Sequence, residues 1–461
     1  MLFHKRQVLI FLTIVLATKM FGQNCDCENS FTWMKEIFEA NDAGFQYVIN
    51  KKGISEYEKH NAEFLEKIKS AKDNYECVEH LNNWLYFFRK GHIEIALLKD
   101  DITENSQEDV QTFPDWETVD VDTIALKKYL DAKKEIDLEG IWQNESYTIG
   151  VKNIDNQFIG FVIDSQNKEW ETGQIKFRIY PDSAIYYMRD HSAKRVKRAR
   201  LISSNWLFFD NQFDFYRVYP KQEDKFFKSI RDKQPYLERL NKQTVYLRIP
   251  AFHYEADAID SVILTNKKKI HSTKNLIIDL RYNGGGSDNA WGLLLPIIYT
   301  NPIRQKSCSF LSSEINNQVL RKYQGDAFYE KLNDNLGKFV LLFGEKYFIN
   351  RADRIYKNPK NIAVIVNEYC ASSTEQFLLA CKQSKKVKIF GKVTMGALDF
   401  ANLNTVLSPC ENFKLYYAMS KDVDIENYPI DDIGIQPDYF LDDAIPEHQW
   451  IEYVNAILNY Q

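Results

Sequence analysis

The chain has 461 residues, of which 44% are hydrophobic and 27% charged, the balance of a folded globular protein. This length allows about three domains. The formal net charge of −5 argues against a general nucleic-acid-binding protein, which needs a basic surface to displace phosphate counterions. We interpret the basic run at 194–200 as a solvated strand edge, with a local anionic partner as the alternative.

The N-terminus has the features of an export signal. Lys5 and Arg6 precede an apolar run over 8–18, and Gly22 supplies a small residue shortly afterwards. This pattern predicts a secretory signal peptide over 1–22, because the apolar run is short for a membrane span. A signal anchor is the alternative. We therefore expect an exported protein, periplasmic or secreted, with no stable membrane insertion after signal cleavage.

Seven cysteines are present, and export permits disulfide bonds between them. Cys25 or Cys27 is expected to pair with Cys77, which would tie the N-terminus to the first helices. The odd number leaves at least one thiol unpaired within the chain. No Cys/His cluster has the spacing of a zinc site, so we expect no metal, and the sequence implies no organic cofactor.

Residues 23–99 are predicted to form an N-terminal helical domain. Phe31, Met34 and Phe38 recur at helical spacing, and a similar pattern continues to Gly91. The next residues alternate like a strand, which places His92 at a helix-to-strand junction. Residues 100–137 are polar and acidic at first and are predicted to be a linker.

The rest of the chain divides into a β-rich part and an α/β part. Short alternating runs separated by turn residues predict an inserted all-β domain, a barrel or a sandwich, over 138–220. Residues 221–461 contain continuous apolar strands at 245–250, 275–280 and 361–366, which are typical of a parallel sheet covered on both faces. We therefore expect an α/β core there.

A glycine-rich loop directly follows the second of these strands. It begins at Asp279 and contains Gly284, Gly285 and Gly286. Consecutive glycines let backbone amides point into one concavity, as in a phosphate cradle or an oxyanion hole. The run lacks the lysine of a phosphate-binding loop, so we favour the oxyanion hole. A simple tight turn is the alternative.

A second motif follows the strand at 361–366, where Ser372 stands at the start of a helix. The amides of a helix N-terminus favour developing negative charge. The alternative is that Ser372 and Glu375 only form a capping box, since Ser-x-x-Glu is the signature of that cap. Cys370 is a rival nucleophile, but its place at the strand end favours packing.

The order of these two motifs, followed by 391–396 and 432–438, resembles the C-terminal processing (tail-specific) serine peptidase family. The likeness is to the branch with a tricorn-like core, and it covers about 244–441 together with the helical part at 30–98. It implies a ClpP/crotonase-like α/β core and a peptide or unfolded protein as substrate. It does not explain the β insert, and no PDZ-like glycine loop is found. The oligomeric state is left open.

The resemblance assigns roles to several residues of the two motifs. It implies Ser372 as the nucleophile and the amides of Gly285, its neighbour Gly284 and Ser373 as the oxyanion hole. Many members of the family use a lysine as general base, but the matching position here is Ala397. The lysine dyad is therefore missing.

The tricorn-like branch uses a histidine instead, and His92 matches its place after the N-terminal helices. The acid that orients this histidine matches Asp431, where the family usually has glutamate, and Asp432 is the alternative. His253 competes with His92 for the role of base. Asp399, near the missing lysine, is interpreted as a structural residue or a substrate contact.

These observations predict an exported serine endopeptidase that cleaves peptides or protein tails through a Ser-His-Asp arrangement. The N-terminal helices would cap the cleft and deliver the histidine. One alternative is a catalytically inactive protein of the same fold that binds a peptide or another ligand. A second alternative makes the β insert the functional module, binding a lipid or glycan on an α/β scaffold.

Overall fold

The computed structural model describes residues 26–98, 113–196, 198–209, 213–252 and 256–460. The predicted signal peptide over 1–22, Cys25 and His253 therefore lie outside the described residues. Over the ranges given, no helix combines the length and the apolar character that a membrane crossing requires.

The N-terminal part is helical, as its spacing of apolar residues predicts. Asp26 and Asp73 cap the first and last of these helices by accepting backbone N–H groups. The elements are α1 (Cys27–Asn41), α2 (Phe45–Lys52), α3 (Ile54–Lys69), α4 (Asn74–Leu85) and strand β1 (Glu94–Leu97). A disulfide joins Cys27 to Cys77 and so connects α1 to α4.

The predicted linker contains a helix, α5 (Thr123–Asp131), in its described part. Leu126 and Leu130 of this helix are buried against Ile141 and Phe161 of the β insert. Residues 100–137, which are predicted to be a linker, thus include a helix that packs on the β insert. Its two apolar leucines lie one helical turn apart, too short a repeat to stand out in a polar sequence.

The β insert is one nearly closed antiparallel sheet rather than a two-sheet sandwich. Trp142, Phe177, Phe209 and Phe215 fill its interior. Its nine strands, counted over the residues described, are β2 (Gly140–Gln143), β3 (Tyr147–Ile154), β4 (Gln157–Ser165), β5 (Ile175–Ile179), β6 (Ala184–Tyr187), β7 (Ala193–Val196), β8 (Ala199–Ser203), β9 (Trp206–Phe209) and β10 (Phe213–Tyr219). They pair in the order β7-β6-β5-β4-β3-β2-β10-β9-β8. We call residues 138–219 the β domain.

The α/β part is built on a largely parallel sheet with the order β11-β12-β13-β18-β19-β22. Its elements, in chain order, are α6 (Lys225–Arg231), β11 (Tyr236–Arg239), β12 (Thr244–Arg248), α7 (Ala256–Thr265), α8 (Lys267–Ser272), β13 (Asn275–Asp279), a 3-10 helix (Asp288–Leu294), α9 (Leu295–Ile298), β14 (Ile303–Lys306), β15 (Cys308–Leu311), α10 (Glu314–Gln324), α11 (Asp326–Asn333), β16 (Phe339–Val340), β17 (Tyr347–Asn350), β18 (Asn361–Val366), α12 (Ser373–Cys381), β19 (Val387–Gly391), β20 (Phe400–Leu407), β21 (Phe413–Asp422), β22 (Tyr439–Phe440), a second 3-10 helix (Glu447–Gln449) and α13 (Trp450–Tyr460). Strands β12, β13 and β18 are buried along their length, as their apolar runs predict.

A second sheet connects the N-terminal helices to the C-terminal half. Strand β1 pairs with β21, and β21 also pairs with β15 and β20. Phe38 and Leu81 from the helices share one apolar core with Phe310 and Leu415 from this sheet. The N-terminal helices thus have no separate core, and the segment that carries His92 is fixed to the α/β part.

Candidate active site

The two sequence motifs lie side by side at the carboxyl edge of the parallel sheet. Strands β13 and β18 are adjacent, with Asp279 in register with Ile365. The loops after both strands therefore begin at the same edge, where open α/β sheets bind ligands. Asp279 is buried in an ion pair with Arg281, 2.6 Å apart. Burial opposes ionisation, but Arg281 and Arg248 outweigh it and lower the pKa of Asp279 to about 2.

Gly285 brings the glycine loop into contact with the start of helix α12. Its φ is +103°, a conformation that side chains other than glycine rarely adopt. A Cβ atom at this position would lie 2.7 Å from the Cβ of Ser372 and 2.9 Å from the amide nitrogen of Ser373. The close approach of the two loops thus requires glycine at position 285.

Ser372 has an unusual backbone conformation for a residue that precedes a helix. Its φ is 57° and its ψ −123°, in a region that non-glycine residues occupy only when the surroundings hold them there. The carboxylate of Glu375, which is fully buried, accepts the amide of Ser372 at 3.1 Å. It also accepts the amides of Gly396 and Ala397, at 2.8 and 2.9 Å. Glu375 is therefore more than a helix cap, because it holds a third loop against the serine.

The amides predicted to form the oxyanion hole differ in their availability. The amide of Gly285 donates to Asn283 Oδ1 at 3.0 Å. The amides of Gly284 and Ser373, by contrast, have no hydrogen-bond acceptor among the described residues. Gly284 is exposed, and Ser373 is the first residue of α12, where helix geometry leaves the N–H unused. Of the three predicted donors, the amides of Gly284 and Ser373 are thus the two without an acceptor among the described residues.

Contacts from strand β20 and from Arg89 hold the segment that carries His92 in place. Its Nδ1 hydrogen-bonds to the backbone carbonyl of Phe400, so that Nδ1 carries the proton and Nε2 keeps its lone pair. The buried side chain of Arg89 donates to the carbonyls of Gly91 and His92 at 3.1 and 3.2 Å. Burial, together with the positive charge of Arg89, lowers the pKa of His92 to about 4.

Arg89 is itself held by a buried ion pair. Its guanidinium donates to both oxygens of Asp42, at 2.8 and 2.6 Å. The same carboxylate accepts the amides of Gly44 and Ala418. This bidentate pair connects the turn before His92 to α2 and to β21. A charged pair with all its hydrogen bonds made is rigid, and removing one partner would leave a buried charge.

The His92 turn and Ser372 are connected through Ala397. A Cβ atom on Gly91 would lie 2.4 Å from the Cβ of Ala397, so this turn packs directly on that residue. The carbonyl of Ala397 accepts the amide of Ser372 at 3.0 Å. The turn before His92 thus occupies the space next to Ala397, the position that lacks the lysine expected from the sequence resemblance.

Asp431 is not hydrogen-bonded to His92, in contrast to the expectation from the sequence. Its Oδ1 accepts the amides of Leu398 and Asp399, at 2.6 and 2.7 Å. Asp431, whose side chain is shorter than that of glutamate, thus supports the loop before Phe400. The imidazole of His92 hydrogen-bonds to the carbonyl of Phe400 instead. Oδ2 of Asp431 has no partner in the described structure. Burial and neighbouring Asp399 raise the pKa of Asp431 to about 7.

The remaining predicted acids have different places. Asp399 is buried, and its Oδ2 accepts the amides of Ile430 and Asp431, both at 2.7 Å. These hydrogen bonds connect the segment before Phe400 to the segment at 430–431. Asp432 lines a cavity of about 110 Å³ together with Asp399 and Asp431, but makes no side-chain hydrogen bond in the described chain. His253 is outside the described residues.

Cys370 is excluded as the nucleophile by its surroundings. It is fully buried, and its thiol donates to the carbonyl of Leu280 at 3.0 Å. Burial raises the pKa of this thiol to about 12, so it stays protonated near neutral pH. Over the part of the chain that the structure covers, no cluster of three or more His, Cys, Asp or Glu residues is arranged to bind a metal.

Residues 243–441 match the family model of peptidase family S41. The chain therefore contains a serine-type peptidase domain of this family. No curated protein sequence matches the chain. Among solved structures, mature CPAF is 12% identical, with 94% of this chain and 96% of that chain covered and a TM-score of 0.53. Mature CPAF complexed with lactacystin is also 12% identical, with 94% and 97% covered and a TM-score of 0.52. At this identity the likeness shows a common fold.

Several residues of this S41 peptidase site could not be found from the sequence. Asn283, Asn367 and Glu375 bind backbone groups, and Arg89 and Asp42 support the histidine turn. The sequence predicts Glu375 only as a capping residue, and no pattern marks Arg89 or Asp42. Residues that bind backbone amides and carbonyls have no characteristic spacing, so no pattern marks them.

Proposed function

We propose that this S41 peptidase is an exported serine endopeptidase that cleaves peptides or protein tails with Ser372 as nucleophile and His92 as general base. The amides of Gly284 and Ser373, beside Gly285, are proposed to bind the oxyanion. The observation that carries the proposal is the contact between the glycine loop and Ser372, where a Cβ on Gly285 would be 2.7 Å from that of the serine.

The reaction follows from the protonation state of His92. A serine hydroxyl is a weak nucleophile, and neutral imidazole can accept its proton. Nε2 of His92 takes the proton as Ser372 Oγ forms a bond to the peptide carbonyl carbon, and the carbonyl oxygen gains the negative charge. His92 then protonates the leaving amine as the C–N bond breaks. His92 next takes a proton from water, whose oxygen forms a bond to the acyl carbon. The bond between that carbon and Ser372 Oγ breaks, and His92 returns the proton to restore the Ser372 hydroxyl.

The orientation of His92 is proposed to come from the Phe400 carbonyl, with Asp431 acting indirectly. A backbone carbonyl can fix the imidazole tautomer as a carboxylate does, but it adds no negative charge to stabilise imidazolium. Asp431 holds the amides of Leu398 and Asp399, and thereby the chain that leads to Phe400.

Labelling with a fluorophosphonate probe tests the proposal. We expect wild-type protein to be labelled, and Ser372→Ala to remove labelling while leaving the folded state intact. The control is Ser272→Ala at the end of α8, whose hydroxyl donates to the carbonyl of Lys269 and makes no other hydrogen bond to a described residue. Absence of labelling in the wild type, beside a labelled serine peptidase, would favour the inactive peptide- or ligand-binding alternative.

Export is proposed on the composition of residues 1–22 together with the Cys27–Cys77 disulfide. Disulfide bonds persist mainly in oxidising compartments, which agrees with a periplasmic or secreted protein. N-terminal sequencing of the protein from cell fractions tests this. We expect a mature N-terminus near residue 23 outside the cytoplasm, and an intact Met1 in the cytoplasmic fraction would contradict export.

A further inference from the structure

Aromatic residues of strand β9 in the β domain contact both loops of the proposed site. On β9, Trp206 and Phe208 face away from the barrel interior, because alternate residues of a strand face opposite sides and Phe209 packs inside. The ring of Trp206 lies 5.0 Å from that of Tyr282, between ring centroids. The ring of Phe208 lies 5.7 Å from that of Tyr369, nearly perpendicular to it.

The two tyrosines connect these contacts to the site. Tyr282 precedes the Asn283–Gly285 segment, and Tyr369 lies three residues before Ser372. Their rings stack on each other, 5.1 Å apart with an angle of 10° between planes. Oδ1 of the buried Asn367 accepts the amides of both, at 3.0 and 3.3 Å. A displacement of either tyrosine is therefore passed to the other loop.

Charged residues contribute to the same interface. Arg200 donates to Glu368 at 3.2 Å, and Arg198 to Asp443 at 2.7 Å. Lys392 also donates to Asp443, at 2.9 Å. Part of the basic run at 194–200 thus has its anionic partners within this chain. Arg198 and Asp443 are exposed, so their ion pair contributes little to stability, whereas Arg200 and Glu368 are partly buried.

We propose that Trp206 and Phe208 are positioning residues, through which the β domain holds Tyr282 and Tyr369 and so sets the glycine loop against Ser372. The inference rests on the proposed function, since it concerns the geometry of that site. Both Tyr282 and Ser372 have a positive φ, of 61° and 57°, which persists only where neighbours fix the backbone. A misplacement of about 1 Å at such a site lowers the rate about 100-fold.

Steady-state hydrolysis of fluorescein-labelled casein tests the proposal. Phe208→Ala is expected to lower kcat at least tenfold with KM unchanged within twofold, and Phe208→Tyr, which keeps the ring, is expected to retain the wild-type kcat. The matched control is Phe213→Ala, which removes a ring that stacks on Tyr186 inside the β domain at 3.8 Å. Equal kcat in Phe208→Ala and Phe213→Ala, or a change in KM alone, would overturn the proposal.

Amide hydrogen exchange gives a second readout that does not require activity. In Phe208→Leu, which keeps most of the side-chain volume, peptides covering 282–286 and 369–373 are expected to exchange faster than in wild type and in Phe213→Ala. Unchanged exchange in both segments would overturn the inference. If wild-type protein neither hydrolyses casein nor reacts with the fluorophosphonate, the proposed function fails, and the exchange result alone decides on the role of the β domain.

Discussion

Replacing Gly285 with alanine is the sharpest test of the contact between the two loops. The added Cβ would lie 2.7 Å from the carbonyl oxygen of Ala371, 2.7 Å from the Cβ of Ser372 and 2.9 Å from the amide nitrogen of Ser373. All three distances are shorter than carbon atoms tolerate, and two of the atoms belong to the backbone. The glycine loop and the nucleophile loop must therefore separate.

The size of the effect follows from geometry and conformation. An alanine at a φ of +103° costs about 1–2 kcal/mol of stability. A donor of the oxyanion hole that loses its position costs about 10²- to 10³-fold in kcat, or about 2.7–4 kcal/mol. We expect Gly285→Ala to remain folded and to lose activity by about 10²- to 10³-fold.

The assay is the second-order rate constant of fluorophosphonate labelling, with thermal unfolding measured on the same samples. The control is Gly292→Ala in the 3-10 helix that follows, where an added Cβ meets nothing within 4 Å. Labelling of Gly285→Ala at the wild-type rate would refute the reasoning, because it would mean that the two loops need not touch for Ser372 to react.

Three further predictions concern protonation and stability. Because His92 has a pKa of about 4, the labelling rate constant should stay level from pH 8 to 5 and fall below about pH 4; a midpoint near 6.5 would contradict the buried imidazole. The pKa of Asp431 is about 7 in the folded chain, against about 3.9 in the unfolded chain. Between pH 4 and 7 the folded chain therefore keeps a proton on Asp431 that the unfolded chain releases. The free energy of unfolding consequently falls as pH rises through that window. Asp431→Asn should therefore be more stable than wild type at pH 8, by up to about 4 kcal/mol, and about equal at pH 4 in urea unfolding, whereas an equal difference at both pH values would contradict this. Replacing both Cys27 and Cys77 with serine should lower the free energy of unfolding by up to about 4 kcal/mol, because their disulfide joins residues 50 positions apart. An unchanged denaturation midpoint would show that the disulfide does not constrain the unfolded chain.

The sequence predicted the parts of the fold that have a repeat or a motif. The apolar runs of β13 and β18 identified the parallel sheet, and the glycines and Ser372 at their ends identified the edge where the two loops meet. Helical spacing located the N-terminal helices, and the pairing of Cys27 with Cys77 is confirmed by the structure.

The parts that could not be predicted depend on backbone groups and on contacts between distant segments. The partner of His92 is the carbonyl of Phe400, 308 residues further along the chain, and a carbonyl is present in every residue. Asp431 was expected at the imidazole, but its side chain binds two amides of the neighbouring loop. The burial of Trp206 against Tyr282 also has no signal in either segment alone.

The packing of Gly91 on Ala397 bears on which general base this chain can use. A Cβ at 91 would already lie 2.4 Å from that of Ala397, so a longer side chain at 397 would press on the turn before His92. The carbonyl of Ala397 also accepts the amide of Ser372, so displacing this turn would move the proposed base relative to the proposed nucleophile. A lysine at 397 and a histidine at 92 would therefore compete for one space beside the serine.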